Sequence, residues 1–312
     1  MPLFAEIVLV PPALWVVVLT AAACGQLLYR RQLVQQTTLV GPWLWTLGSV
    51  CAIGAAHLMI AVTNRNTAHE PTRWETALVF AAAASSFCPV MSLLGAKRPQ
   101  DRGWHFVVIS LGAILILPVA ESLVLRDGQM PDVQGARSWF MLVLVGLGIT
   151  NFLATRYWFP AILFGSGQLL MLSNSLPFIS EFVDTSPTIT GFACCAVACI
   201  VASQIAIRRT PAAGSLDIVW RDFRDAFGLL WGLRVAEQVN VAARTAGWPL
   251  TLRWHGFVDE RGESLDWSSL PEVTRNSLHQ VIQNLLRRFV SSEWIAARMQ
   301  NSKDYREHPA DE

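Results

Sequence analysis

The chain has 312 residues, of which 53% are apolar and only 15% charged, and its formal net charge is +1. Soluble domains carry about 25% charged residues, so this composition excludes an ordinary soluble protein. The small net charge also argues against a nucleic-acid partner, because a protein that binds nucleic acid presents a basic surface. The apolar residues are concentrated before about residue 207, and the remainder has the composition of a soluble domain.

Seven apolar runs in the first 209 residues are long enough to cross a bilayer. A helix of about 20 apolar residues spans the hydrocarbon core. The runs lie at about 7–29, 39–62, 75–95, 104–125, 138–155, 158–180 and 188–207. Only residues 156–158 separate the fifth and sixth runs, but a merged helix would be about twice as long as a bilayer requires. We therefore predict an all-α transmembrane bundle of seven helices over residues 1–209.

The charged turns between the runs predict how the bundle is oriented. The turn at 93–104 is short and cationic, and such turns stay on the cytoplasmic side of a membrane. Alternation of the spans then puts eight Lys or Arg residues inside and four outside. The inside residues are Arg30, Arg31, Lys97, Arg98, Arg102, Arg156, Arg208 and Arg209, and the outside residues are Arg65, Arg73, Arg126 and Arg137. The sequence therefore predicts an outside N-terminus, a cytoplasmic C-terminus and a location in the cytoplasmic (inner) membrane of the cell.

After a linker at 210–214, residues 215–300 are predicted to form a small α+β domain in the cytoplasm. Apolar and aromatic residues recur every three or four positions over about 215–246, which predicts a helix with a wide aromatic face. That face could lie on lipid headgroups or pack within the domain, and the sequence leaves both alternatives open. Residues 250–258 alternate in polarity and predict a strand. A second helix is expected from Ser269, capped together with Glu272, to about Met299, and a disordered tail at 301–312.

The predicted partners follow from the size of this domain. Fewer than about 100 ordered residues bury only a modest core, so the domain is expected to need support from outside itself. We expect contacts with the lipid bilayer, and with a protein partner or a second copy of the chain through the cytoplasmic domain.

Polar residues inside the apolar runs are the candidate binding site, because such residues are costly in a membrane and are commonly functional. The candidates are His57, Glu121, Gln168, Asn174, Ser85 and Ser86. We predict that they could line a polar pocket that opens outward, with Glu121 hydrogen-bonded to His57. The competing interpretation is that His57 and Glu121 lie near the interface and are simply hydrated.

No other feature of the sequence predicts a catalytic, cofactor-binding or metal-binding site. The sequence lacks the HExxH, GxSxG and Walker patterns of zinc proteases, hydrolases and nucleotide-binding proteins. His57 and His105 fall at opposite ends of their helices, so haem bound between two histidines is not expected. All six cysteines lie in apolar runs, and Gly191, Cys195, Cys199 and Ser203 recur every four residues as closely packed helices require. We predict no cofactor and no metal.

These observations favour a non-enzymatic membrane protein. In this hypothesis the bundle is an anchor, a sensor or an assembly component that acts through its cytoplasmic C-terminal domain. The alternative is a transporter of a small polar solute that uses the polar residues of the bundle. Gly165, Gly167 and Pro177 in the sixth run give weak support to the transporter, because broken helices often line transport paths.

Overall fold

A computed structural model describes residues 12–63, 72–124, 135–176, 187–206 and 215–307 of the chain. Within these ranges the chain is mostly helical, with one small antiparallel sheet. The helices are α1 (Pro12–Tyr29), α2 (Val40–Thr63), α3 (Arg73–Ser85), α4 (Cys88–Leu94), α5 (Gln100–Val124), α6 (Ala136–Leu153), α7 (Trp158–Leu172), α8 (Thr188–Ile205), α9 (Ser215–Thr245), α10 (Glu272–Leu286) and α11 (Ser292–Glu307). The strands are β1 (Leu250–Arg253) and β2 (Gly256–Asp259).

Within the described ranges, five helical segments are long and apolar enough to cross a membrane. They are Val40–Thr63, Trp74–Leu94, Gly103–Leu123, Ala136–Leu153 and Thr188–Ile205. Two further apolar helices, Ala13–Tyr29 and Trp158–Leu172, are shorter, and the predicted spans to which they belong extend into residues 7–11 and 177–180, outside the described residues. The chain is therefore membrane-embedded, with five segments that meet the requirements of a span.

The third predicted run is broken in its middle, between α3 and α4. Pro89 lies in the first turn of α4, where it has no N–H to continue the hydrogen bonding of α3. The break leaves backbone carbonyl oxygens without hydrogen-bond donors from the helix. Two polar side chains from neighbouring helices donate to these oxygens instead. The Ser49 hydroxyl donates to the carbonyl oxygen of Ser85 at 2.7 Å, and the Gln168 amide donates to that of Ser86 at 3.0 Å.

Small residues let α7 and α8 approach closely, as the sequence predicts. A Cβ added to Gly167 would lie 2.6 Å from the backbone oxygen of Gly191, and a Cβ added to Gly191 would lie 2.7 Å from that of Gly167. A Cβ on Gly165 would in turn meet Ile149 of α6 at 2.6 Å. In this helix the glycines therefore serve packing between helices.

The C-terminal unit (residues 215–307) has its own apolar core, built on the aromatic face of α9. Phe223 and Phe227 stack at a ring separation of 4.8 Å and both meet Phe289 edge-on at 5.3 Å. Trp220, Phe223 and Phe227 are each no more than 3% exposed. Of the two alternatives for the aromatic face, packing within the protein is the one observed.

Three local predictions in this unit were wrong. The single strand expected at 250–258 is a hairpin, in which β1 and β2 pair antiparallel around a turn at Trp254 and His255. The capping box is absent, because the helix begins at Glu272 after Pro271 and the Ser269 hydroxyl donates to a backbone oxygen instead. The predicted second helix is divided into α10 and α11, and α11 continues to Glu307, past the expected end.

The division between α10 and α11 has a physical role, since it frees backbone groups that bond to the transmembrane bundle. The amide of Thr38 donates to the oxygen of Phe289 at 2.8 Å, and the amide of Arg98 donates to that of Arg288 at 2.8 Å. Thr37 and Val290 form an isolated antiparallel bridge. A continuous helix could not offer these groups, because its own hydrogen bonds would occupy them.

Candidate functional site

Gln168 and Ser86 are the two predicted site residues that the structure brings together. The Gln168 amide donates to both the backbone oxygen and the hydroxyl of Ser86, each at 3.0 Å, and both residues are buried. The Ser85 hydroxyl donates to the oxygen of Ala82 at 2.6 Å. These polar groups repair the helix break at Pro89, which explains why an apolar bundle holds them.

Glu121 and His57 do not form the predicted hydrogen bond. The Glu121 carboxylate accepts two hydrogen bonds from the Arg137 guanidinium, at 3.0 and 3.2 Å. His57 is 5% exposed, its ring lies 5.8 Å from that of Phe192, and its Nε2 has no hydrogen-bond partner among the described residues. The hydrated interpretation therefore does not fit His57. The side chain of Asn174 lies outside the part of the chain whose side chains are described.

A metal centre is not formed by the described residues, in which no three His, Cys, Asp or Glu side chains lie close enough to hold an ion. Cys24 and Cys51 are neighbours on α1 and α2, with their sulfur atoms 3.4 Å apart, and both are free thiols.

A cavity of about 350 Å³, here called the apolar cavity, lies between α2, α4, α6, α7 and α8. Its wall is almost wholly hydrocarbon and includes Trp43, Val90, Phe152, Pro160, Phe164 and Ala198. Of its few polar side chains, Thr46 donates to the oxygen of Pro42 and Gln168 to Ser86, so neither needs a partner inside the cavity. An apolar guest suits such a space.

A second cavity of about 280 Å³, here called the charged cavity, adjoins the first and shares wall residues such as Trp43, Phe152 and Tyr157 with it. It lies where the ends of α1 and α8 meet α9 and α11. Five charged side chains line it: Arg30, Arg156, Arg298, Asp222 and Asp225. The two cavities therefore lie side by side, the first with an apolar wall and the second with charged groups in its wall.

Ion pairs connect most of the charged groups at this junction. Asp222 accepts from Arg298 at 2.7 Å, and the Arg156 guanidinium lies 3.6 Å from Asp222 and 3.5 Å from Asp225. Burial raises the pKa of Asp225, although the neighbouring Arg224 and Arg156 guanidinium groups oppose this effect. Arg30 differs from Arg156 and Arg298 in having no carboxylate partner among the described residues: its Nε is buried without a hydrogen-bond partner, and its guanidinium lies 4.5 Å from the centre of the Tyr29 ring.

The charged cavity borders an extensive contact between the bundle and the C-terminal unit. Three segments at one end of the bundle form this docking surface, residues 36–38, 93–98 and 151–156, and the last two include the ends of α4 and α6. Indole N–H groups of the C-terminal unit bond to it, from Trp231 to the oxygen of Leu93 at 3.0 Å and from Trp254 to that of Ala154 at 2.8 Å. Leu93 and Ala96 belong to the same apolar cluster as the core of the C-terminal unit.

Asn151 and Gly228 meet across this surface. Gly228 interrupts α9 with φ +77° and ψ −169°, a conformation that favours glycine. The Asn151 side chain accepts from the amide of Leu230 at 3.0 Å and donates to the oxygen of Phe227 at 3.4 Å. It thus satisfies backbone groups that the kink removes from the helix.

The sequence predictions missed this junction. Arg224 and Asp225 are at most 9% exposed, and the acidic pair of Asp222 and Asp225 faces Arg156 of the bundle. Gly228 was an available signal, since a glycine within a helical pattern costs about 1 kcal/mol and usually has a packing reason. Comparison with known proteins adds nothing to this geometry, since no family model, no curated protein and no solved structure matches the chain.

Proposed function

We propose that the protein is a seven-span membrane sensor or assembly component that acts through its C-terminal unit. In this proposal α1 and α7 complete the count of spans, the N-terminus is outside, and the C-terminal unit lies in the cytoplasm. The two-to-one excess of Lys and Arg in the turns assigned to the inside supports this orientation. The three segments of the docking surface also lie together at the end that holds the C-terminal unit, which supports the alternation of the spans.

The observation that carries the proposal is the docking surface. The C-terminal unit bonds to three separate segments, which connect α1 to α2, α4 to α5 and α6 to α7. A displacement of any of these helices would alter its backbone contacts, which is how a membrane event can reach a cytoplasmic surface. Leu230, Leu233 and Val241 remain exposed on α9, and they supply apolar surface for a protein partner or a second copy of the chain.

The transporter alternative has less support. Its polar candidates Gln168, Ser85 and Ser86 are engaged at the α3–α4 break, and the cavity that Gln168 borders has an apolar wall. A path for a small polar solute would need polar groups directed into the cavity.

Cleavage between the two parts tests the proposal. A site for a specific protease placed at 210–214 should be cut in inside-out membrane vesicles and protected in right-side-out vesicles. After cleavage the fragment that begins at residue 215 should stay on the membrane through a high-salt wash, because most of the docking contact is apolar or backbone-mediated. Release of the fragment at physiological salt would contradict the proposal, and so would cutting from the opposite side.

A further inference from the structure

We propose that the two adjoining cavities are one binding site for a single-chain anionic amphiphile, of the fatty-acid type, whose head group lies at Arg30. This inference names a ligand for the proposed sensor and rests on the docked arrangement of the C-terminal unit. The apolar cavity takes the chain, and the charged cavity takes the head group.

The volume of the apolar cavity sets the size of the chain. Its 350 Å³ is within the range of about 300–1,000 Å³ for ligand sites. A methylene group is about as large as a water molecule, so the space holds about a dozen methylene-sized groups at roughly 30 Å³ each. One chain of that length fits, whereas the two longer chains of a bilayer phospholipid exceed it.

The charges of the second cavity select the head group. Three guanidinium groups and two carboxylates line it, which leaves one positive charge in excess. The two carboxylates already contact Arg156 and Arg298. Arg30 is the remaining cation, and its buried Nε lacks a hydrogen-bond partner among the described residues. A carboxylate would accept from that N–H and neutralise the excess charge, and buried donors strongly favour such a partner.

The position of the site gives the ligand a role in the proposed sensor. Arg30 and Ser203 come from the bundle, whereas Asp222, Trp294 and Arg298 come from the C-terminal unit, and all five line the charged cavity. A head group bound there contacts both parts of the protein. Ligand binding is therefore expected to strengthen docking, because it stabilises the docked state in preference to any other.

Equilibrium binding of radiolabelled laurate, a twelve-carbon fatty acid, tests this inference. The full chain is placed in nanodiscs of phosphatidylcholine, which carries no net charge, and dodecanol serves as a neutral probe of equal chain length. Laurate should bind saturably with one site per chain. Arg30→Gln should weaken laurate binding about tenfold or more, the usual loss for a hydrogen bond to a charged group, with little effect on dodecanol.

Two further variants control this result. Arg31→Gln removes an exposed neighbouring charge that lines neither cavity and should leave laurate binding unchanged. Ala161→Phe fills part of the apolar cavity and should abolish binding of both probes. The melting temperature of each variant in nanodiscs shows whether it is folded, and the Arg30→Gln comparison stands if the larger substitution does not fold.

Three results of direct laurate binding would overturn the inference. They are the absence of saturable laurate binding, equal losses in Arg30→Gln and Arg31→Gln, and laurate binding that persists in folded Ala161→Phe. Displacement of laurate by phosphatidylglycerol in the disc would assign the site to a membrane phospholipid and overturn the single-chain ligand. Failure of the proposed function is a separate result, since it appears as release of the C-terminal fragment whether or not laurate binds.

Discussion

Replacement of Gly228 by alanine should loosen the C-terminal unit from the bundle. The residue has φ +77° and ψ −169°, a region that only glycine occupies readily, and other residues held there cost on the order of 1–3 kcal/mol. The added Cβ would overlap Nδ2 of Asn151 and lie 2.7 Å from its backbone oxygen. Asn151 must then move, and its hydrogen bonds to Phe227 and Leu230 are lost.

The size of the effect follows from these two contributions. A buried backbone group left without its partner costs about 1–3 kcal/mol. Together with the backbone strain, the substitution should weaken docking by about 3 kcal/mol or more, which is roughly a hundredfold in the equilibrium constant. Asn151→Ala removes the same hydrogen bonds without the strain and should cost less. The double variant should cost less than the sum of the two, because the residues share one contact.

The assay is the fraction of the fragment that remains on nanodiscs after cleavage at 210–214 and serial dilution. Gly247→Ala is the matched control, since Gly247 also has a positive φ, of 66°, but a Cβ there would have nothing within 4 Å. It should strain the backbone without releasing the fragment. Retention of the Gly228→Ala fragment at the unmodified level, or equal release from Gly247→Ala, would refute the role assigned to this contact.

Three other outcomes are expected. Burial and the nearby Arg275 lower the pKa of His279, so the unfolded chain takes up the proton first and the stability of the fold should decrease as the pH drops below about 6.5. In thermal melts between pH 7 and 5, His279→Gln should reduce this pH dependence. An unchanged slope of melting temperature against pH would contradict the prediction. Gln168→Leu leaves a buried carbonyl at the α3–α4 break unsatisfied and should destabilise the bundle by about 1–3 kcal/mol, seen as a lower melting temperature that the exposed Gln204→Leu does not share. A mild oxidant should join Cys24 to Cys51 in a variant that keeps only these two cysteines, because their sulfur atoms lie 3.4 Å apart; persistent reaction of both thiols with a maleimide after oxidation would count against the packing of α1 on α2.

The helices of the bundle were predictable because a bilayer leaves few choices. Backbone groups in hydrocarbon must bond within the segment, so a long apolar run becomes a helix whatever its detailed sequence. The five segments that meet the requirements of a span agree with the predicted runs to within a few residues. Close helix packing at Gly191 was also predicted, since small residues four apart mark helix packing in membranes. Its contact with Gly167 was not, because Gly167 was interpreted as weak support for a transport path.

The candidate site was predicted less well, and the reason is physical. The rule that a polar residue in a span is functional does not distinguish a ligand contact from the repair of a helix break. Gln168 and Ser86 serve the break at Pro89, and recognising this requires knowing that α7 lies beside that break. Arg30 and Asp225, which line the charged cavity, are far apart in the sequence, and no local pattern connects them.

The aromatic face of α9 shows why a helix next to a membrane need not lie on it. Burial of Phe223 and Phe227 is favourable both in lipid and in protein, because either environment removes a similar apolar area from water. The indole N–H of Trp231 and the backbone at Gly228 need specific acceptors and donors as well, and lipid headgroups offer these without fixed geometry. Leu93 and Asn151 offer both at fixed positions, near the ends of α4 and α6. The polar groups of α9 therefore determine that it packs against the bundle, and its apolar face is buried there with them.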